Sequence, residues 1–258
     1  MDSSNYKFYH VHGCDTREHL DTFFSDKAQM IFGEDTLIFP IEQLIKTFHL
    51  GNIKGDILID LSMGSAVHHL YSACEFFKHI IVLKIQDRCI LELKRWVDTR
   101  TGAFDWCHAA QLYLNIGNSD LLVDKEGKVR SALQHVMKCD LEKENITEPI
   151  DLPPADCIIT GLLDSISKDQ DDYIRYLKKF LKLLKPGGHL ILFGALDATY
   201  YTIGKDKFHV FTYDEEFVRK ALVGEGFVID RWEVKKRSNV SDLTDYKRVI
   251  FIVAHKGK

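Results

Sequence analysis

The chain has 258 residues, 45% of them hydrophobic, and a formal net charge of −4 from 34 basic and 38 acidic side chains. That length supports one large packed core, and the intermixed charges leave no basic stripe of the kind nucleic acid requires. No run approaches the roughly 20 apolar residues of a membrane span, the start MDSSNYKFYHVHG carries no secretory pattern, and the six cysteines are scattered without a C-x-x-C. A cytoplasmic, single-domain monomer with reduced thiols is expected, with neither nucleic acid nor membrane as partner.

Residues 1–53 contain two candidate helices, near Thr16 to Phe24 and Asp35 to Phe48, rich in aromatic residues and histidine, and are expected to form a helical lid over an α/β core at 54–258. Apolar runs predict strands at 57–60, 80–85, 135–141, 156–160, 189–196, 227–234 and 248–255. Apolar residues at three- and four-residue intervals predict helices over 66–77, 87–97, 122–134, 170–184 and 214–224. This alternation means an α/β sandwich. In DDYIRYLKKFLKLLKPGG the acids come first and the lysines last, complementing the helix dipole before Pro186-Gly187-Gly188 ends the helix. The polar stretch KKRSNVSDLTDYK between the last two strands has no helical period, so they are expected to pair antiparallel at the end of a mostly parallel sheet. Asn115 to Asp124 is the expected flexible insertion.

The stretch DILIDLSMGSAVHHLYSA at 56–73 reads as strand, turn and helix, with Ser62 to Ser65 at the end of the strand where doubly wound sheets bind ligands. Only one glycine, Gly64, remains in the turn. An acid about 20 residues further on would bind a ribose diol, but that position is Lys84, which donates hydrogen bonds and cannot accept them. Lys84 with Arg88 suits a phosphate or carboxylate; a solvated strand-end lysine is the plainer reading.

Together GDILIDLSMGS, LYSACEFFKHIIVLKIQDR, GAFDW, LPPADCIIT, LLKPGGHLIL and TYYTIGKDKF resemble the nicotinamide, indolethylamine and phenylethanolamine N-methyltransferase family over nearly the whole chain. The resemblance implies a Rossmann-like, seven-stranded methyltransferase sheet with an antiparallel last strand, S-adenosylmethionine (SAM) as cofactor, and a small amine or heteroaromatic acceptor. It implies cofactor contacts from Phe24, Ser62, Gly64, Ser65, His68, Lys84, Cys89, Asp140, Leu141 and Gly161, and an acceptor pocket from His19, Asp164 and Tyr201. Several of these depart from the family pattern. Ser62 and Met63 replace the small residues of D-I-G-S-G-P, Lys84 replaces the ribose-binding Asp, and Cys89 replaces an Asn. His19, Phe23 and Phe24 stand for lid tyrosines, His68 for a loop tyrosine, and Ala198 and Val210 for serines that would contact an amide. Asp140, in Cys139-Asp140-Leu141, matches the adenine-binding word.

Methyl transfer from a sulfonium needs alignment, a dry pocket and aromatic groups, and no metal. His10, His12, His68 and His69 are therefore expected to be solvated or core-edge histidines rather than ligands. His19 reads either as a base toward an ammonium acceptor or as filler for a tyrosine's space, Asp164 as a substrate acid or a loop cap, and Cys89 as a buried inert thiol. Two functions remain open: a SAM-dependent N-methyltransferase, or a non-catalytic small-molecule binder of the same fold with weakened cofactor affinity.

Overall fold

A computed structural model describes residues 5–117 and 124–257. Its strands are β1 (Gly55–Leu61), β2 (Phe77–Lys84), β3 (Leu133–Lys138), β4 (Ala155–Thr160), β5 (Leu184–Leu196), β6 (Tyr200–Ile203), β7 (Asp206–His209), β8 (Phe227–Lys236) and β9 (Arg248–Lys256). Seven of them form one sheet in the order β3-β2-β1-β4-β5-β9-β8. The first five run parallel, and β9 lies antiparallel to both β5 and β8. This is the doubly wound sheet with a reversed last strand that the sequence predicts.

The central strands are apolar without interruption because helices cover both faces. Alternate residues serve opposite cores: Ile59, Leu61, Ile81, Leu83 and Ile158 pack on one face, and Leu58, Ile80, Val82, Cys157 and Ile159 on the other. A two-residue period explains the division. Of the predicted helices, Asp87–Val97 is as expected, and Gln170–Leu181 and Glu215–Gly224 start on the caps Asp169 and Asp214, whose carboxylates accept from Asp172 N and Phe217 N.

Three elements differ from expectation. The helix predicted over 66–77 is a single turn, Leu70–Ala73, because β2 begins at Phe77 and claims the following residues. A helix at Cys107–Ile116 and the β6–β7 hairpin, turning at Gly204 (φ +61°), were not predicted. The expected insertion Asn115 to Asp124 overlaps the end of that helix, and most of it, with the first two residues of the helix predicted over 122–134, lies outside the described residues; the described helix there is Lys125–Ala132. Among the described residues no helix is long and apolar enough to cross a membrane.

The N-terminal segment forms helices at Tyr9–His12 and Thr16–Phe23, a π-helix at Gln29–Ile38 and a helix at Phe39–Leu50. It is fastened to the far edge of the sheet by charge-assisted bonds. Buried Asp35 accepts from Lys235 Nζ (2.7 Å), Tyr246 Oη (2.6 Å) and Ser238 N (3.1 Å). Arg231, on β8, donates to Gln43 O and Thr47 Oγ1, both at 3.1 Å. These bonds hold the segment across the carboxyl ends of the strands.

Candidate functional site

A cavity of about 280 Å³ opens over the carboxyl ends of β1, β4 and β5, where a doubly wound sheet presents its loops. Of the residues implicated from sequence, His19, Phe24, Ser62, His68, Gly161 and Asp164 line it; Asp35, Phe39 and Phe193 line it too and were not anticipated. Its wall is aromatic. Phe24 lies 5.2 Å from the His68 ring and 5.9 Å from Trp106, and His68 stacks on Trp106 at 5.8 Å. Trp106 is the tryptophan of the GAFDW word, and it is almost wholly buried.

Several polar atoms here lack partners. His19 Nδ1, His68 Nδ1 and Asp60 Oδ1 are buried and make no hydrogen bond. Burial and then the charge of Lys84 push the His19 pKa down to about 4. Burial, reinforced by His69, drives that of His68 well below its usual value. Both imidazoles are therefore neutral at physiological pH. A group of pKa about 4 is a weak base toward an alkylammonium, so this environment favours the reading in which His19 fills a tyrosine's space.

Asp164 follows β4 and lines the cavity. Its Oδ2 accepts from Ala195 N at 3.1 Å. Burial, opposed mainly by that bond, raises its pKa to about 6. The helix that follows this loop is capped by Asp169, whose carboxylate accepts from Asp172 N. Tyr201 does not line the cavity. It is buried against Phe208, with ring centroids 5.3 Å apart and nearly parallel, and its hydroxyl makes no hydrogen bond. Ala198 and Val210 are buried nearby.

Next to the cavity, between the ends of β1 and β2, the polar groups are paired with one another. Lys84 is only 1% exposed, which rules out the solvated-lysine reading. Its Nζ donates to Ser62 O (2.9 Å) and Ser62 Oγ (3.1 Å), closing the space between the ends of β1 and β2. Ser62 Oγ in turn donates to Asp60 Oδ2 at 3.1 Å, and His69 Nε2 lies 3.0 Å from the same oxygen. Burial would raise the Asp60 pKa, but His69 and Lys84 hold it below the ordinary carboxylate range.

Gly64 carries a φ of +64°, and a Cβ there would stand 2.5 Å from His19 Nδ1. Both the backbone angle and the close approach of the imidazole call for glycine. Its N–H donates to Tyr9 Oη at 3.1 Å. Tyr9 is 1% exposed, its Oη stands 3.4 Å from Cys89 Sγ, and its carbonyl accepts from Gln86 Nε2 at 2.7 Å. Cys89 is thus a buried thiol, as expected, next to Thr16 Oγ1 at 3.5 Å. Ser65 Oγ donates to Cys89 O at 2.8 Å. Asp140 is exposed and uses one oxygen to accept from Glu142 N at 3.0 Å, while Leu141 is buried. Tyr9 is the residue that sequence reasoning missed: nothing in YKFYHVH signals that a terminal tyrosine reaches the turn after β1.

Residues 6–257 match the NNMT/PNMT/TEMT family. The chain is 34% identical over 242 residues to nicotinamide N-methyltransferase of Homo sapiens, covering 93% of this chain and 92% of that protein. It is equally identical, with the same coverage, to indolethylamine N-methyltransferase of Oryctolagus cuniculus. Phenylethanolamine N-methyltransferase of Homo sapiens is 33% identical over 220 residues, 83% of this chain and 78% of that protein. Among solved structures, an S-adenosylmethionine-dependent methyltransferase from Clostridium acetobutylicum superposes with a TM-score of 0.59 at 13% identity, covering 94% of this chain and 98% of its own. The N-methyltransferase NodS from Bradyrhizobium japonicum, in complex with S-adenosyl-L-homocysteine (SAH), gives 0.52 at 12% identity, covering 95% and 100%. These two likenesses concern the fold.

Proposed function

Because the chain belongs to the NNMT/PNMT/TEMT family, we propose that it is a SAM-dependent N-methyltransferase whose acceptor is a small aromatic or heteroaromatic amine with a free lone pair at neutral pH. One observation carries the reading: an aromatic cavity at the ligand-binding end of the sheet with buried, unpartnered nitrogens of His19 and His68 at its wall. Buried polar atoms left without partners are costly in a finished fold and mark a place where a polar ligand belongs.

The residues fit the cofactor unevenly. Phe24 and His68, backed by the buried Trp106, give the aromatic surface that a sulfonium favours, at about 0.5–2 kcal/mol for such a contact. Asp140, exposed on the loop after β3, has carboxylate capacity left for an adenine amine. Between these two, Tyr9 and Lys84 occupy the groups that would meet the sugar, so the site fits SAM once Tyr9 leaves Gly64 N. Bound there, SAM supplies an electrophilic methyl group.

The chain's own contribution is placement and exclusion of water. His19 and Phe24 of the N-terminal segment form part of the cavity wall. Asp164, charged above about pH 6, accepts a hydrogen bond from the acceptor and orients its nitrogen. Neutral His19 and His68 offer lone pairs to donors on either ligand without adding a cation beside the sulfonium. With no strong base in the cavity wall, an acceptor that is already unprotonated is preferred over an alkylammonium.

The test is calorimetric titration with SAH, followed by transfer of isotopically labelled methyl from SAM to matched pairs of heteroaromatic and aliphatic amines. Saturable SAH binding and preferential labelling of the heteroaromatic member are expected. No SAH binding at millimolar concentration, or preference for the alkylamine, would sink the proposal.

A further inference from the structure

We propose that His189, Asp230 and His255 form a binding site for a divalent transition metal such as Zn²⁺, at the opposite end of the sheet from the cavity. Donor atoms of these three side chains all lie within 4.8 Å of one another, the one such cluster among the described residues. His10, His12, His68 and His69, the histidines that stand out in the sequence, do not assemble in this way.

The strands build the cluster. In the antiparallel pair of β5 and β9, His189 and His255 are direct partners, so their side chains leave the same face, with ring centroids 5.9 Å apart. On the next strand Val228 pairs with His255, and the register then slips between Ile229 and Arg231. That bulge leaves Asp230 without a ladder partner and brings its carboxylate to His255, with Nδ1 2.9 Å from each oxygen. The bulge has no other evident use at this edge. His255 and Asp230 are about a third exposed, with side-chain accessibilities of 36% and 37%, so an ion can reach them and retain water.

Two imidazoles and one carboxylate favour borderline metals such as Zn²⁺ or Co²⁺ over Mg²⁺ and Ca²⁺, which prefer all-oxygen shells. Metal–nitrogen bonds of about 2.0–2.1 Å place donors closer together than the outer limit of this cluster, so side-chain rotation completes the site. The bound ion ties the edge hairpin of β8 and β9 to β5. Arg231, the residue after Asp230, carries the bonds to Gln43 and Thr47 of the N-terminal segment, so the ion steadies the strand on which that segment is anchored.

The experiment uses the full chain, stripped with chelator, titrated with ZnCl₂ by calorimetry and with CoCl₂ by visible absorption. One ion per chain is expected, with Co²⁺ d–d bands free of thiolate charge transfer and a melting temperature that rises with metal concentration. His189→Ala, His255→Ala and Asp230→Ala should each weaken binding by at least about tenfold. If an alanine variant misfolds, as judged by its metal-free melting, His255→Gln and Asp230→Asn replace it. Absence of saturable binding, a thiolate band, or affinity unchanged in the variants would overturn the proposal. SAH binding is read in parallel, and its outcome leaves this inference independent of the methyltransferase reading.

Discussion

The two ends of the cleft were built by different rules. Over β1, β4 and β5 the wall is aromatic, the space is open, and the imidazoles of His19 and His68 have nitrogens to spare. Around Lys84, at the end of β2, the polar groups are taken up internally: Lys84 is bonded to Ser62, and Gly64 to Tyr9. A group left unsatisfied waits for a ligand, whereas a satisfied one must be released before a ligand can use it. The first end is prepared for binding at no further cost, and the second has a competing internal state. SAM affinity in this chain should therefore be governed by the self-paired end, and acceptor choice by the open one.

The most severe way to break this contrast is Lys84→Asp. It removes the buried ammonium that, after His69, holds the Asp60 carboxylate, and sets a second carboxylate near it. Stranding a buried charge costs about 3–5 kcal/mol, so the urea midpoint should fall sharply without ligand. SAH should recover part of the loss, since an acid can accept from a sugar diol. A variant as stable as the parent would show that Lys84 does not hold the end of β1. Gly64→Ala comes next. The left-handed backbone costs about 1–2 kcal/mol and the collision with His19 another 1–3 kcal/mol or so, read by the same denaturation. In the double variant with His19→Ala the collision part should vanish and the backbone part remain; strict additivity would mean that the two residues do not touch.

A smaller effect concerns the open end and depends on pH. His19 has a folded pKa of about 4, below its ordinary 6.5, so its unfolded form binds the proton more readily and stability falls as pH drops from 6.5 toward 4. His68 acts in the same direction. Asp164, raised from 3.8 to about 6, does the reverse: the folded form keeps the proton, and stability falls as pH rises through that window. The opposed contributions of His19 and Asp164 are each about 3 kcal/mol, at roughly 1.4 kcal/mol per pKa unit. Asp164→Asn should therefore steepen the acid loss of stability between pH 6.5 and 4, measured as melting temperature against pH. A flatter profile than the parent's would contradict the buried-carboxylate assignment.

The sheet could be read from the chain because each central strand is a continuous apolar run and each long helix is amphipathic. Asp60, Gly64 and Lys84 could be located for the same reason, since they end or follow those runs. What could not be read was pairing across distant segments. Nothing local marks Lys84 as bonded to Ser62 rather than solvated, Tyr201 as falling outside the cavity lining, or Asp35 as part of it. The β6–β7 hairpin was hidden because four-residue strands carry too few alternations to register. Asp230 joins two histidines only because one residue bulges out of register, a displacement that sequence periodicity does not encode.

The mildest substitution bears most directly on the contrast. Tyr9→Phe keeps the ring buried and deletes only the oxygen that accepts from Gly64 N. Losing a buried hydrogen bond while leaving the donor stranded costs about 1–3 kcal/mol, and all of that loss falls on the closed state. If Tyr9 must leave before SAH enters, the closed state is a competitor, and weakening it strengthens apparent binding in proportion to the competent fraction gained. A penalty near 1.4 kcal/mol corresponds to about a tenfold lower apparent Kd. The ligand-free variant should also melt earlier, with the difference narrowing on addition of SAH, because both proteins then leave Gly64 N to the ligand. Calorimetry on parent and variant checks both expectations. Weaker SAH binding by Tyr9→Phe would mean that the hydroxyl supports the cofactor instead of taking its place, and the self-paired end of the cleft would then be part of the holoenzyme.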